Sequence, residues 1–310
     1  MLASATSSHT PDLKVGPTGE MNPRRLYTVP LPHRAALQLG TRTLVMGILN
    51  ITPDSFADGG YHLDPDAAVE AALRMAGDGA DIIDVGGEST RPGAEPVSAD
   101  EERRRVLPVI ERLASRIDIP ISVDTYKASV ARDALAAGAS IVNDISGLLY
   151  EPELGAVAAD AGAALVLMHT RGRSKGMYDL ARYEDAPGDV ARELAEAIVR
   201  AENAGVRRTS MILDPGLGFA KRAEHSFEVL AHLERIAALD RPVLVGASRK
   251  SFLKAAIGDR EPADREWGTA AAVAASVLSG AHIVRVHGVR EMADVVRVAD
   301  RLRQVDRAQP

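Results

Sequence analysis

The chain has 310 residues, 46% of them hydrophobic, with 37 basic and 43 acidic side chains and a formal charge of −6. Such a length supports one large core plus an extension, and a mildly acidic chain with scattered basic residues is a poor non-specific nucleic-acid binder. There is no cysteine, which excludes disulfides and thiolate metal sites, and no apolar run long enough to cross a bilayer.

In chain order, residues 1–22 are rich in Ser, Thr, Gly and Pro and have no apolar h-region. They read as a disordered leader, dispensable for catalysis, rather than a signal peptide. Residues 23–310 read as a single domain. The stretch 26–40 carries two prolines and a short apolar run, suited to a strand or small hairpin that closes the bottom of the domain. Eight apolar runs then end abruptly in polar clusters: 44–50, 81–85, 119–124, 140–143, 164–168, 211–213, 243–247 and 281–286. Runs without alternation predict strands buried on both faces, as in a parallel sheet. Between and after them, helices are predicted over 65–77, 99–116, 128–137, 152–161, 189–204, 224–239, 265–279 and 289–303. Asp64 with Pro65, and Ser98, supply helix-start chemistry. Eight strand–helix units predict a (β/α)8 TIM barrel, an α/β fold whose chemistry collects at the C-terminal ends of its strands.

The polar endings are the candidate site. Asn50 closes the first run without a charged neighbour and suits a hard cation such as Mg2+, which shares itself with substrate phosphates. Asp54, Ser55 and Asp58 follow it in a turn-rich loop. Arg91, in GGESTRPG, is shaped to clamp phosphate, although a lone loop arginine is usually solvated. Asp124, Asn143 and Asp214 end three different runs, and a barrel gathers those ends around one opening. Two carboxylates and an amide there suit a flat heterocycle with several N–H donors; for Asp124 and Asn143, helix capping is an equally ready role. Ser248 to Ser251, with Arg285 and His287, gather cations and hydroxyls after runs seven and eight, where barrels often hold phosphate.

The strings MGILNITPDSFADGG, DVGGESTRPG, SVDTYK, NDISG, DPGLGFAK, GASRKSF and RVH, in this order, resemble the successive signatures of dihydropteroate synthases. The resemblance implies a Mg2+-assisted transferase of folate synthesis. It would join p-aminobenzoate to 6-hydroxymethyl-7,8-dihydropterin pyrophosphate, and would be a cytoplasmic homodimer, a sulfonamide target, with neither nucleic-acid nor membrane partners. It also implies roles. Asp124, Asn143, Met168, Asp214 and Lys250 would hold the pterin, with Asp124, Asp214 and Lys250 catalytic. Asn50 would meet the metal and, with Arg91, Arg285 and His287, the pyrophosphate. Thr90, Pro92, Phe219, Lys250 and Ser251 would form the p-aminobenzoate pocket. Three positions depart from the family pattern: Ala220 and Gly288 stand where glycine and aspartate are usual, and Ser174 where proline is. A pterin-binding methyltransferase or a non-catalytic pterin-binding subunit would share the barrel; the TRPG and SRK segments weigh against the first.

Overall fold

The structure is a computed structural model that describes residues 24–52, 57–58, 62–89, 93–173 and 175–306. The leader, Asp54, Ser55, the side chain of Asp58, Thr90, Arg91, Pro92 and Ser174 lie outside the described residues. Two short strands, β1 (Tyr27–Val29) and β2 (Leu37–Leu39), form an antiparallel hairpin. The barrel begins with β3 (Leu44–Asn50). A small antiparallel pair, β4 (Ala57–Asp58) and β5 (His62–Leu63), sits in the loop after it. The other barrel strands are β6 (Ile82–Gly86), β7 (Ile121–Asp124), β8 (Ile141–Asp144), β9 (Ala164–Met168), β10 (Met211–Asp214), β11 (Leu244–Val245) and β12 (Ile283–Val286).

Each barrel strand from β3 to β10 pairs in parallel with the next along the chain, and β12 pairs with both β11 and β3. The remaining seam is joined by a single parallel bridge between Leu213 and Val243, where the Leu213 N–H donates to the Pro242 carbonyl at 2.9 Å. The predicted eight-unit barrel is therefore the observed one. Strand β11 is shorter than predicted because only two of its residues keep ladder geometry beside that seam.

Helices α1 (Pro65–Gly77), α2 (Ala99–Ala114), α3 (Ala128–Ala136), α4 (Glu153–Asp160) and α5 (Ala186–Asn203) come after successive strands. They are joined by α6 (Ala223–Ala231), α7 (Glu234–Ala237), α8 (Lys254–Ile257), α9 (Glu266–Leu278) and α10 (Val289–Asp306). Asp64 caps α1 by accepting the Asp66 N–H, and Ser98 caps α2 by accepting that of Glu101. Helix α5 starts three residues before its predicted start because Asp185 accepts the Gly188 N–H and Pro187 suits the first turn. The helix predicted over 224–239 is broken. His232 leaves helical geometry (φ −121°, ψ 41°), and the chain re-enters as α7 with Leu233 and Ile236 buried.

Side chains alternate along each strand, and register partners share a face. Val45, Val85, Val123 and Leu167 pack against the helices. Leu44, Met46, Ile82, Ile141, Val166 and Ile212 fill the lumen, where Val29, Leu37 and Leu39 of the hairpin join them. The hairpin thus plugs the N-terminal end, as its position in the sequence suggests. Further up the same inward face the side chains change from apolar to polar: register aligns Asp84 with Ile48 and Ser122, Asn143 with Asp124, and Asp214 with Met168.

One polar clasp ties the last helix to the first barrel strand. Asp300 of α10 accepts from the Thr43 N–H at 2.6 Å, the Thr43 hydroxyl at 2.9 Å and Arg24 Nη2 at 3.1 Å. All three residues are buried. Replacing Asp300 by alanine takes the carboxylate from a buried guanidinium and the acceptor from the buried Thr43 N–H, so urea denaturation should show a loss of about 3–5 kcal/mol in unfolding free energy.

Candidate active site

Arg285 enters the lumen from β12. Its Nε donates to Asp84 Oδ2 and its Nη2 to Asp124 Oδ2, each at 2.6 Å. Asn143 Nδ2 donates to the same Asp84 oxygen at 3.0 Å. Carboxylates from β6 and β7, an amide from β8 and a guanidinium from β12 therefore meet in one network. Neither Asp124 nor Asn143 caps a helix. The residue at the start of α3 is Lys127, and it is the neighbouring Asp144 that closes a local turn by accepting the Ser146 and Leu148 N–H groups. Burial pushes the Asp124 carboxyl up to about 7, against the pull of Arg285 and with Asp84 adding to the rise.

Asp214 ends β10 on the same inward face. Its Oδ1 accepts the Gly216 N–H at 2.7 Å, which fixes the carboxylate at the head of the 215–221 turn. Burial raises it to about 6, while that N–H, Lys250 and Arg285 all lower it. Lys250, after β11, is drawn down to about 8 by burial and then by Arg285, with Asp214 and Asp124 opposing. Its Nζ lies 3.7 Å from the centre of the Phe219 ring. Met168 packs beside this group with Tyr126, Ile145, Met177 and Phe219. Gly216 (φ +65°) approaches the His169 carbonyl so closely that a Cβ would sit 2.0 Å from its oxygen, so only glycine fits. Ala220 adopts φ +47°, a left-handed conformation that explains why glycine would suit this position.

The remaining predicted residues line the rim. Asn50 ends β3 on the lumen-facing register and is half-buried. The Ser248 hydroxyl accepts the His287 N–H at 3.2 Å and lies 2.9 Å from His287 Nδ1. Ser251 is exposed at the start of a 3-10 turn, Ser251–Leu253. Arg249, grouped with Lys250 in the sequence, is separated from it. At φ +60° it turns towards α9, where its Nε donates to Glu266 Oε2 at 3.0 Å. The other oxygen of Glu266 occupies the space that a side chain at Gly288 would take, 2.3 Å from an ideal Cβ there.

Two residues of this region have no role assigned from sequence. Asp84 lies inside the run 81–85, and a carboxylate set within the apolar stretch DIIDVGG signals a paired, buried charge. Lys221, 1% exposed, ends the string DPGLGFAK, but nothing local shows that beyond the nearby Gly216 and Phe219 carbonyls it reaches His169, 52 residues away. Among the described residues no group of three or more His, Asp or Glu side chains is arranged to hold a metal ion. Asn50 would offer a cation its amide oxygen, and a cation held there would take further oxygens from a phosphate ligand, the shared coordination that Mg2+ favours.

Comparison with known proteins agrees with this arrangement. The profile of the family described as "Pterin binding enzyme" matches residues 46–287. The dihydropteroate synthase of Synechocystis is 48% identical over 277 residues, covering 89% of this chain and 96% of its own. A solved Xanthomonas albilineans dihydropteroate synthase with 4-aminobenzoic acid superposes with a TM-score of 0.81 at 43% identity, covering 91% of this chain and all of that one. A Yersinia pestis dihydropteroate synthase in a sulfonamide complex gives 0.82 at 42% identity, covering 89% of this chain and 100% of that one. The chain belongs to the dihydropteroate synthase family of pterin-binding enzymes.

Proposed function

We propose that the protein joins p-aminobenzoate to 6-hydroxymethyl-7,8-dihydropterin pyrophosphate, giving 7,8-dihydropteroate and pyrophosphate. The observation that carries this reading is the convergence of Asp124, Asn143, Asp214, Lys250 and Arg285 at one barrel mouth, on chain segments far apart in sequence. The pterin edge presents N–H donors; Asp124 and Asp214 accept them in ionised form, and Asn143 adds an amide. Met168 packs beside the ring. As the C–O bond to pyrophosphate breaks, its electron pair leaves with the pyrophosphate and positive charge grows on the pterin methylene. The fixed carboxylates stabilise that charge without reorganising.

Arg285 and His287, with Asn50 and Arg91, are assigned to the departing anion from the sequence. Mg2+ would sit at Asn50, neutralising charge on the leaving group. The arylamine nitrogen attacks the methylene, a C–N bond forms, and the amine proton passes to solvent. No protein nucleophile is required. Phe219 and Lys250 form one wall of the arylamine pocket. Ser251 would extend it, Thr90 and Pro92 are assigned to it from the sequence alone, and a sulfonamide would compete for the same space. We place the enzyme in the cytoplasm as a homodimer. Trp267 at the start of α9, with Val298 and Leu302 one turn apart on α10, supplies exposed apolar area for a second copy; their exposures are 84%, 64% and 54%. No described helix is long and apolar enough to span a membrane.

An assay of pyrophosphate release tests the reaction. Release should need both the pterin pyrophosphate and p-aminobenzoate, and equal release without the amine would refute the transfer.

The pH dependence comes from the site's charges. The carboxyls of Asp124 and Asp214 must be ionised to accept N–H donors, and both are pushed up, to about 7 and about 6. Lys250 must keep its proton and is drawn down to about 8. The kcat/KM for the pterin substrate should rise through about pH 6–7 and fall above about pH 8. In Lys250→Ala the alkaline limb should disappear, with turnover lower by about one to two decades at the optimum. An unchanged profile in that variant would remove Lys250 from the site.

A further inference from the structure

Lys221 is the bulkiest of the fully buried side chains among the described residues, and it reaches the candidate substrate residues through a backbone group, the Phe219 carbonyl. Its Nζ donates to the carbonyls of Gly216 at 3.0 Å and Phe219 at 3.1 Å and lies 2.7 Å from His169 Nδ1. Burial draws its pKa down to about 7, with Asp214 and Glu193 opposing. The Glu193 carboxylate beside the ring can only accept, so in the neutral imidazole the proton sits on Nε2 and His169 Nδ1 is an acceptor. Facing that acceptor, the Gly216 and Phe219 carbonyls and, at 3.5 Å, the His169 carbonyl, Nζ needs the three donors of the ammonium, while the ring proton stays on Nε2. That nitrogen lies 2.9 Å from Glu193 Oε2, so it donates there. Burial, and then Lys221, draw the imidazole down to about 4, which keeps it neutral. The Lys221 charge is thus balanced through a neutral ring by a carboxylate on α5, itself gripped by Arg171 at 3.0 and 3.1 Å.

The segment that this relay secures is the 215–221 turn. The Phe219 N–H closes on the Gly216 carbonyl at 3.0 Å, and the Tyr178 and Tyr183 hydroxyls hold the Gly218 and Ala220 carbonyls. The turn carries strain from the positive φ at Ala220 and depends on these ties to keep its shape. The Asp214 backbone, by contrast, is fixed by its strand ladder to Met168, and its carboxylate meets the turn at the Gly216 N–H, the end away from Phe219. Loss of the Lys221 tie therefore acts on Phe219 first.

We propose that Lys221 is a positioning residue for the arylamine step: tied through His169 to Glu193, its ammonium sets the 215–221 turn so that the Phe219 ring meets Lys250. This rests on the reading that Phe219 and Lys250 wall the p-aminobenzoate pocket. Lys221→Met removes the donors at nearly constant volume. It should raise the KM for p-aminobenzoate at least tenfold, while kcat at saturating amine and the calorimetric Kd for the pterin substrate stay within threefold. At position 169, asparagine keeps an acceptor near Nδ1 and leucine does not. His169→Asn should hold the amine KM within threefold, and His169→Leu should match Lys221→Met, which keeps the test decisive if the lysine variant does not fold. An unmoved KM in folded Lys221→Met, equal losses in amine KM and pterin Kd, or matching asparagine and leucine variants would overturn the proposal. An inactive wild-type protein would remove the functional reading and this inference together; an active one with unaffected variants removes this inference alone.

Discussion

The Arg285 guanidinium between Asp84 and Asp124 is the interaction on which the active end of the barrel depends. A strand barrel excludes water from its lumen, and an isolated carboxylate there would neutralise itself by taking up a proton. Arg285 reaches from the last strand to the second and third, supplies two short hydrogen bonds, and opposes the rise that burial imposes on Asp124. Removing one member of such a pair typically costs about 3–5 kcal/mol because the other charge is left stranded. Three acids, Asp84, Asp124 and Asp214, face two cations, Arg285 and Lys250. Asp124 and Asp214, held above their usual range, are the groups best placed to gain from a ligand that donates N–H groups.

That polar cluster is tolerated because the rest of the barrel is built against it. The lower lumen is apolar and plugged by the β1–β2 hairpin, and the outer faces of the strands are covered by helices. Strand periodicity places recognition groups on the same inward rows as the packing groups, one layer higher. The chemistry therefore needs no extra domain. Loops after β10 and β11 bring Phe219 and Lys250 over the mouth, and the strain at Ala220 is absorbed by the hydrogen bonds around it.

Much of this is legible in the sequence. The runs 44–50 and 164–168 correspond residue for residue to β3 and β9, since a strand buried on both faces has no polar interruption until its end. Helix 65–77 is equally clear because Asp64 and Pro65 mark its start. Long-range packing is not legible. The break at His232 serves the burial of Leu233 and Ile236, where α7 packs on α5, and no local signal marks it. Arg285 reads as an anion ligand, yet the structure engages it with carboxylates 201 and 161 residues away. Arg249 and Lys250 read as one basic patch, and a left-handed backbone at Arg249 divides them between α9 and the mouth. The Lys221–His169–Glu193 relay joins three segments; Lys221 ends the string DPGLGFAK, yet nothing local shows that it meets His169 and, through it, Glu193.

The central claim is that buried lumen acids recognise the pterin in their ionised form. Calorimetry of pterin binding near pH 6.5, in two buffers of different ionisation enthalpy, measures the protons exchanged on binding. The account predicts net proton release, because Asp124 and Asp214 are held up to about 7 and about 6 in the free protein and must ionise to accept the ring N–H groups. Zero exchange, or proton uptake, would contradict it.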